Sequence, residues 1–269
     1  MTTPTLEGRR VLVVGASAGI GRAFAVRAVR AGAKVAMVAR RADRLAELVA
    51  EAGGGEAIAA DLRQPDDCAH IGAAVAAALG RLDVVLVTAG ASSLTWIDEA
   101  TADDWQLAVT TNLIGVNLTI RSLLPILEPG AIVLACSSES VGQPRAGLVT
   151  YAASKAALEE SLRGWRVEKP GIRFGCLTIG ATFPTEFGTS WDPVKLGRAL
   201  ETWALHGLAK AELMDTDHVA EVLVGTLGVA AAYPGVGIEQ LTIRSPAGTT
   251  SQTEGDVTAA MSGGSEGSS

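Results

Sequence analysis

Tyr151 and Lys155 stand four positions apart in the string Tyr151-Ala152-Ala153-Ser154-Lys155, at the start of a long helical run. That spacing puts the phenol and the ammonium on one helix face. A cation there favours phenolate and lowers the tyrosine pKa, which an acid/base working near neutral pH requires. The bare pattern also recurs in helices that carry no chemistry, as a helix-start tyrosine and a solvated lysine. The other of the two tyrosines, Tyr233, lies in a Tyr-Pro-Gly turn that accounts for it.

A second constellation is Gly15-Ala16-Ser17-Ala18-Gly19-Ile20-Gly21, between a β-rich run and a helix. It satisfies two motifs. As Gly-Ala-Ser-Ala-Gly it matches the nucleophile elbow of α/β-hydrolases. As Gly15, Gly19 and Gly21 it is a glycine-rich turn that lets a diphosphate approach the amides at a helix N-terminus. Position decides between them: an elbow needs several strands upstream, and only one precedes Ser17. Ser17, Ala18, Ile20 and the three glycines are therefore expected to hold a dinucleotide. At the end of the second strand, where NAD-binding folds place an acid for the ribose hydroxyls, stand Arg40 and Arg41. Guanidinium pairs with a 2′-phosphate that a carboxylate would repel, and Ser17 can add a hydroxyl to the same group. NADP(H) is expected over NAD(H). On their own the two arginines read equally well as a solvated helix start.

The elements that must position these residues follow from the patterning. Of 269 residues, 48% are hydrophobic and 19% charged, enough for a buried core. The formal net charge of −7 argues against nucleic acid as a partner. Strand-like runs are expected at 10–14, 34–39, 56–59, 83–87, 131–136, 172–178 and 238–243. Helical stretches are expected at 20–31, 42–52, 65–79, 103–127, 150–168 and 217–229. The strands are apolar throughout rather than alternating, as in parallel sheets covered on both faces. The fold class expected is α/β: one doubly wound, Rossmann-like domain over residues 1–244, with a seven-stranded, mostly parallel sheet. Residues 183–215, with Phe183, Phe187, Trp191, Trp203 and Met214, form a long insertion of the kind that covers a site. The Gly/Ser/Thr-rich tail 245–269 is expected to be disordered. The apolar runs, such as 11–14 and 84–87, are too short to span a bilayer, and the polar N-terminus lacks a secretory pattern. Cys68, Cys136 and Cys176 have no CxxC spacing, and the three histidines no ligand spacing. The expectations are reduced thiols, a cytoplasmic location, no membrane and no metal.

At this point the residues resemble a family, the short-chain dehydrogenase/reductases, over residues 8–244. Gly15, Gly19 and Gly21 match its T-G-x-x-x-G-x-G loop, with Val14 in place of threonine. Asp61-Leu62 is similar to its adenine-contacting acid and neighbour. Thr88-Ala89-Gly90 resembles its N-N-A-G element, with Val87 and Thr88 in place of both asparagines. Asn112 matches the asparagine that kinks the long fourth helix and holds a relay water. Ser138 precedes Tyr151 at the family's usual spacing. The resemblance implies that Ser138 polarises the substrate oxygen and Tyr151 exchanges its proton as hydride passes to or from the nicotinamide. Lys155 would lower the tyrosine pKa and bind the ribose, and Asn112 would connect the site to water. After strand six Ile179 replaces the usual proline and Thr185 falls one residue late; Gly180 and Thr182 are the positions implied to meet the carboxamide and phosphates. The expected substrate is a small carbonyl or alcohol compound, and the expected assembly a homotetramer or homodimer through helices 103–127 and 150–168. A catalytically silent dinucleotide binder of the same fold is the alternative. Trp191 and Trp203 fit either a lid over substrate or plain core anchors. Glu139 and Arg145 fit either a place beside the substrate or a surface ion pair.

Overall fold

Aliphatic runs with no polar face can be satisfied only between two layers of helices, and that is how the chain folds. The computed structural model describes residues 5–246 and Gly248. Its order is β1 (Arg10–Val14), α1 (Gly19–Arg30), β2 (Lys34–Ala39), α2 (Ala42–Ala52), β3 (Glu56–Ala59), α3 (Pro65–Leu79) and β4 (Leu82–Val87). There follow α4 (Ala102–Val109), a π-helical turn at Thr110–Gly115, α5 (Val116–Leu123), β5 (Leu127–Ser138), α6 (Val149–Glu168) and β6 (Arg173–Ile179). The last elements are β7 (Thr182–Phe183), α7 (Pro193–Leu205), β8 (Met214–Asp215), α8 (Thr216–Ala232) and β9 (Gln240–Ile243). Seven strands make one sheet in the order β3-β2-β1-β4-β5-β6-β9, and every pairing in it is parallel. Alternate residues of each strand feed opposite layers. Val11 and Val13 pack with α1, α2 and α8, whereas Leu12 and Val14 pack with α3, α5 and α6. The strand order reverses between β1 and β4, so their carboxyl ends open a crevice where ligands bind in such sheets.

At the opposite edge the start of β1 is tied to β4. Arg10 donates to Asp83 through its backbone N–H (2.9 Å), Nε (2.9 Å) and Nη2 (3.1 Å), and to Glu128 (2.9 Å). Burial pushes the Asp83 carboxyl up, but these hydrogen bonds outweigh it and hold the group below the ordinary carboxylate range. Asp83→Asn is expected to lower stability by about 1–3 kcal/mol, the usual cost of losing hydrogen bonds to a charged group. Because the folded pKa is depressed, this contribution is present above the unfolded carboxylate value and is lost as pH falls through the folded one. Denaturant unfolding across acidic pH should show the variant converging on wild type there.

Three expectations need correction. The helix placed at 103–127 is two α-helices joined by the π turn and ends in a single 3₁₀ turn at Leu124–Ile126. Strand β5 begins at Leu127 rather than 131, because Leu127 pairs with Leu82 across an irregularity in register. The continuous helical stretch Ala102–Ile126 is also long and apolar enough, by length and composition, to cross a membrane, which a scan for short apolar runs misses. Here its Val116, Ile120 and Leu123 are spent in the core against α3. The tail 245–269 lies outside the described residues apart from Ser245, Pro246 and Gly248.

Candidate active site

Strand β1 delivers the chain into the crevice and glycine lets it turn there. Gly15 (φ +94°) and Gly19 (φ +53°) take conformations that L side chains rarely adopt. A Cβ on Gly15 would lie 2.5 Å from the Ala89 amide nitrogen, and one on Gly21 would lie 2.4 Å from both the Gly15 carbonyl oxygen and Thr88 Oγ1. Thr88 thus replaces the family asparagine with a different tie: its hydroxyl is 3.1 Å from the Val14 carbonyl and 3.2 Å from that of Gly15. Helix α1 starts at Ala18 with no side-chain cap and no acid in its first turn. In contrast, α8 is capped by Asp215, which accepts from the amides of Asp217 (2.7 Å) and His218 (3.2 Å). The first amides of α1 and the positive end of its dipole are left for an anion. The cradle at Gly15, Ser17, Ala18, Gly19, Ile20 and Gly21 therefore fits a diphosphate.

Beside it, Arg41 Nη2 lies 3.3 Å from Ser17 Oγ and 2.5 Å from Glu186 Oε2, and Arg44 pairs with the other oxygen of Glu186. Arg40 is exposed, with no ion pair among the described residues, and its charge acts on Asp61. Asp61 is gripped by Arg63, whose hydrogen bonds hold its carboxyl below the usual range. Leu62 is buried against the π turn, where a Cβ on Gly115 would meet its carbonyl at 2.2 Å. Ala89 and Gly90 follow β4, and Gly90 faces Asn112 Oδ1 and Lys155 Nζ at 3.4 and 3.5 Å from its would-be Cβ.

The four residues expected to be catalytic converge on this crevice. Ser138 ends β5, and its Oγ accepts from Ser140 Oγ at 2.8 Å. Tyr151 and Lys155 lie on the first turns of α6, with Lys155 Nζ 5.8 Å from the centre of the phenol ring. Burial pushes the Tyr151 phenol up and a hydrogen bond with Ser138 pulls it partway back. The Lys155 ammonium, 2% exposed, donates to the Cys136 carbonyl at 2.7 Å. Asn112, fully buried in the π turn, clamps the loop after β4. It accepts from the Ala91 amide (2.8 Å) and donates to the Ala91 carbonyl (2.9 Å) and to Ser154 Oγ (2.9 Å). Ser154, between Tyr151 and Lys155, couples that clamp to α6.

The β6 end is held differently from the family pattern. Glu139 Oε1 accepts from the Ala181 amide at 3.2 Å and presses on Gly180, where a Cβ would fall 2.5 Å from it. Its other oxygen pairs with Arg145 at 3.2 Å. Both side chains are buried, so this is not a surface ion pair. Thr182 Oγ1 donates to the Gly180 carbonyl at 2.8 Å. Among the lid residues, Trp191 and Trp203 are anchors, donating through Nε1 to the carbonyls of Ser92 (3.0 Å) and Ala146 (2.9 Å). Phe187 is the residue that covers the chemistry, its ring 5.0 Å from those of both Tyr151 and Trp191. Sequence reasoning missed the tie made by Thr88, the parts played by Ser154, Arg44 and Glu186, and this role of Phe187. Only Ser154, three positions after Tyr151, carried a periodic signal.

Comparison with known proteins gives the family and the fold. The profile of the family described as short chain dehydrogenase matches residues 9–194. The chain is 33% identical over 198 residues to glucose 1-dehydrogenase of Gluconobacter oxydans (strain 621H), covering 69% of this chain and 74% of that one. A short chain dehydrogenase from Burkholderia cenocepacia J2315, solved in complex with NADP, superposes with a TM-score of 0.76 at 28% identity over 89% of this chain and 98% of that chain. An alcohol dehydrogenase from the archaeon Thermococcus sibiricus, solved with 5-hydroxy-NADP, gives 0.75 at 25% identity, covering 89% and 97%. The chain belongs to the short-chain dehydrogenase/reductase family and is an oxidoreductase built on its nucleotide-binding fold.

Proposed function

We propose that the protein interconverts a carbonyl compound and a secondary alcohol with NADP(H), using Tyr151 as general acid/base. The observation that carries this is the convergence of Ser138 at the end of β5 with Tyr151 and Lys155 on the first turns of α6, at the mouth of a glycine cradle. The dinucleotide, when bound, supplies or accepts the hydride. Gly15 to Gly21 would hold its diphosphate, and Ser17, Arg40 and Arg41 its adenosine phosphate. Asp61 and Leu62 would meet the adenine, and Ala89, Gly90, Gly180 and Thr182 the nicotinamide half. Ser138 and Tyr151 would donate to the substrate oxygen, and the proton would move at the Tyr151 hydroxyl. Asn112 holds the loop after β4 so that this geometry is kept. The aromatic cover of Phe187 and the mutual neutralisation of Glu139 and Arg145 favour an apolar, uncharged substrate. Exposed Ala153, Ala156 and Ala157 on α6, with Trp105 and Ile114 beside the π turn, support assembly with further copies of the chain.

The test is a paired titration with NADPH and NADH, read as energy transfer from the five tryptophans to the reduced nicotinamide. Tight NADPH and weak NADH are expected. The reverse preference would overturn the assignment of Arg40 and Arg41, and binding of neither would overturn the cofactor itself.

A further inference from the structure

We propose that Glu186 is a built-in competitor for the 2′-phosphate of NADP(H), and that it sets how sharply the site separates NADP(H) from NAD(H). The proposal rests on the cofactor reading above. Glu186 places one carboxylate oxygen on Arg41 and the other on Arg44, and the same Arg41 Nη2 reaches Ser17. Ser17, Arg41 and Arg44 thus form an anion site, and the lid already fills it with an anion. Carboxylate and phosphate use the same guanidinium donors, so the two cannot both be satisfied by Arg41. The hydrogen bond from Arg41 holds Glu186 below the ordinary carboxylate range, which keeps it charged at neutral pH.

Charge decides the outcome of the exchange. A phosphate monoester carries about −1.5 to −2 at neutral pH against the single charge of Glu186. It therefore displaces Glu186 from the arginines, at a cost equal to the pair it breaks. The 2′-hydroxyl of NAD(H) has no charge and leaves Glu186 in place. Removing the carboxylate should consequently help one cofactor and be neutral for the other. The three side chains are 37–41% exposed, so the effect is that of a solvent-accessible ion pair, roughly 1.5- to fivefold in affinity.

The competitor is also wired to the chemistry. Thr185 packs on Gly19, at 3.4 Å from its would-be Cβ, and Phe187 packs at a tilt against Tyr151 with ring centroids 5.0 Å apart. Glu186 lies between them. A ligand carrying a 2′-phosphate thus acts on the segment that covers the phenol, and one without it does not.

Glu186→Gln separates these possibilities, because it removes the charge, keeps the shape and lies in an exposed stretch. Calorimetric dissociation constants for NADP+, NAD+, 2′,5′-ADP and 5′-ADP would be compared between wild type and variant at low, fixed ionic strength. The expected result is that NADP+ and 2′,5′-ADP bind the variant roughly 1.5- to fivefold more tightly, while NAD+ and 5′-ADP are unchanged. Unchanged or weaker NADP+ binding in the variant, with wild type still binding NADP+, would overturn the role of Glu186 and leave the cofactor reading standing. An equal gain for all four ligands would also overturn it, since the effect would then be general electrostatics. If wild type bound neither dinucleotide, the underlying reading would fall and this proposal with it.

Discussion

Tyr151→Phe is expected to lower kcat by about 10²–10⁴-fold, the range spanned by a positioned general acid/base, while dinucleotide affinity stays level. Phenylalanine preserves the ring that packs against Phe187 at 5.0 Å, so the lid keeps its seat. What is lost is one oxygen beside Ser138 and the proton it would exchange. Stability should change by no more than about 1 kcal/mol, the net worth of an ordinary hydrogen bond. The direction of the Tyr151 shift adds a pH dependence. Burial raises its pKa, so the phenol keeps its proton at neutral pH and is ready to donate it. Carbonyl reduction should therefore run well at neutral pH, and alcohol oxidation should climb toward alkaline pH in wild type. Single-turnover kinetics in both directions with wild type and Tyr151→Phe, together with dinucleotide titrations, would check this. A Tyr151→Phe protein that still turns over at more than a tenth of the wild-type rate would remove the phenol from the reaction.

Much of this architecture is legible in the sequence wherever one local force dominates. The aliphatic runs at β1, β2 and β3 have no competing pattern, and their ends coincide with the expected boundaries. So do α2, closed by the left-handed Gly53, and α3, opened by Pro65. The glycine turn is equally legible, because only glycine tolerates its positive φ and the 2.4–2.5 Å approaches of Thr88, Ala89 and the Gly15 carbonyl. What escapes is set by contacts distant in sequence. The π turn has no composition of its own; it keeps the fully buried Asn112 on the Ala91 backbone and Ser154. Glu139 and Arg145 look like surface residues until the β6 end closes over them. Glu186 meets arginines more than 140 positions away. The direction of the Lys155 ammonium is hidden for a related reason. Spacing puts two side chains on one face but does not say which way the ammonium turns, and here it donates to the Cys136 carbonyl.

Lys155→Met is expected to abolish turnover, by about 10²-fold or more, yet to make the protein more stable at neutral pH. The ammonium is 2% exposed and, among the described residues, pairs with no carboxylate; it donates to the Cys136 carbonyl at 2.7 Å. Burial pushes its pKa below the ordinary lysine value. A buried cation without a counter-charge carries a desolvation penalty of several kcal/mol, and well-packed apolar replacements of buried charges are often stabilising by about 1–4 kcal/mol. Against this stands the Cys136 carbonyl left without a donor, about 1–3 kcal/mol. Methionine is unbranched and similar in length, so it fills the space, and the balance favours the variant by about 1 kcal/mol. The sign with pH follows from linkage. The folded pKa is below the unfolded one, so between the two the unfolded chain binds the extra proton and wild-type stability rises with pH. The variant lacks this slope, so its advantage should shrink from neutral toward alkaline pH. Denaturant unfolding of both proteins across that window gives the answer, with dinucleotide titration alongside to show the loss of affinity at the ribose end. A variant less stable than wild type at every pH would mean that the ammonium is held by more than one carbonyl. Lys155 would then be a structural residue first and a cofactor residue second. Stability gained together with turnover lost is the signature of a charge kept in the core for its chemistry.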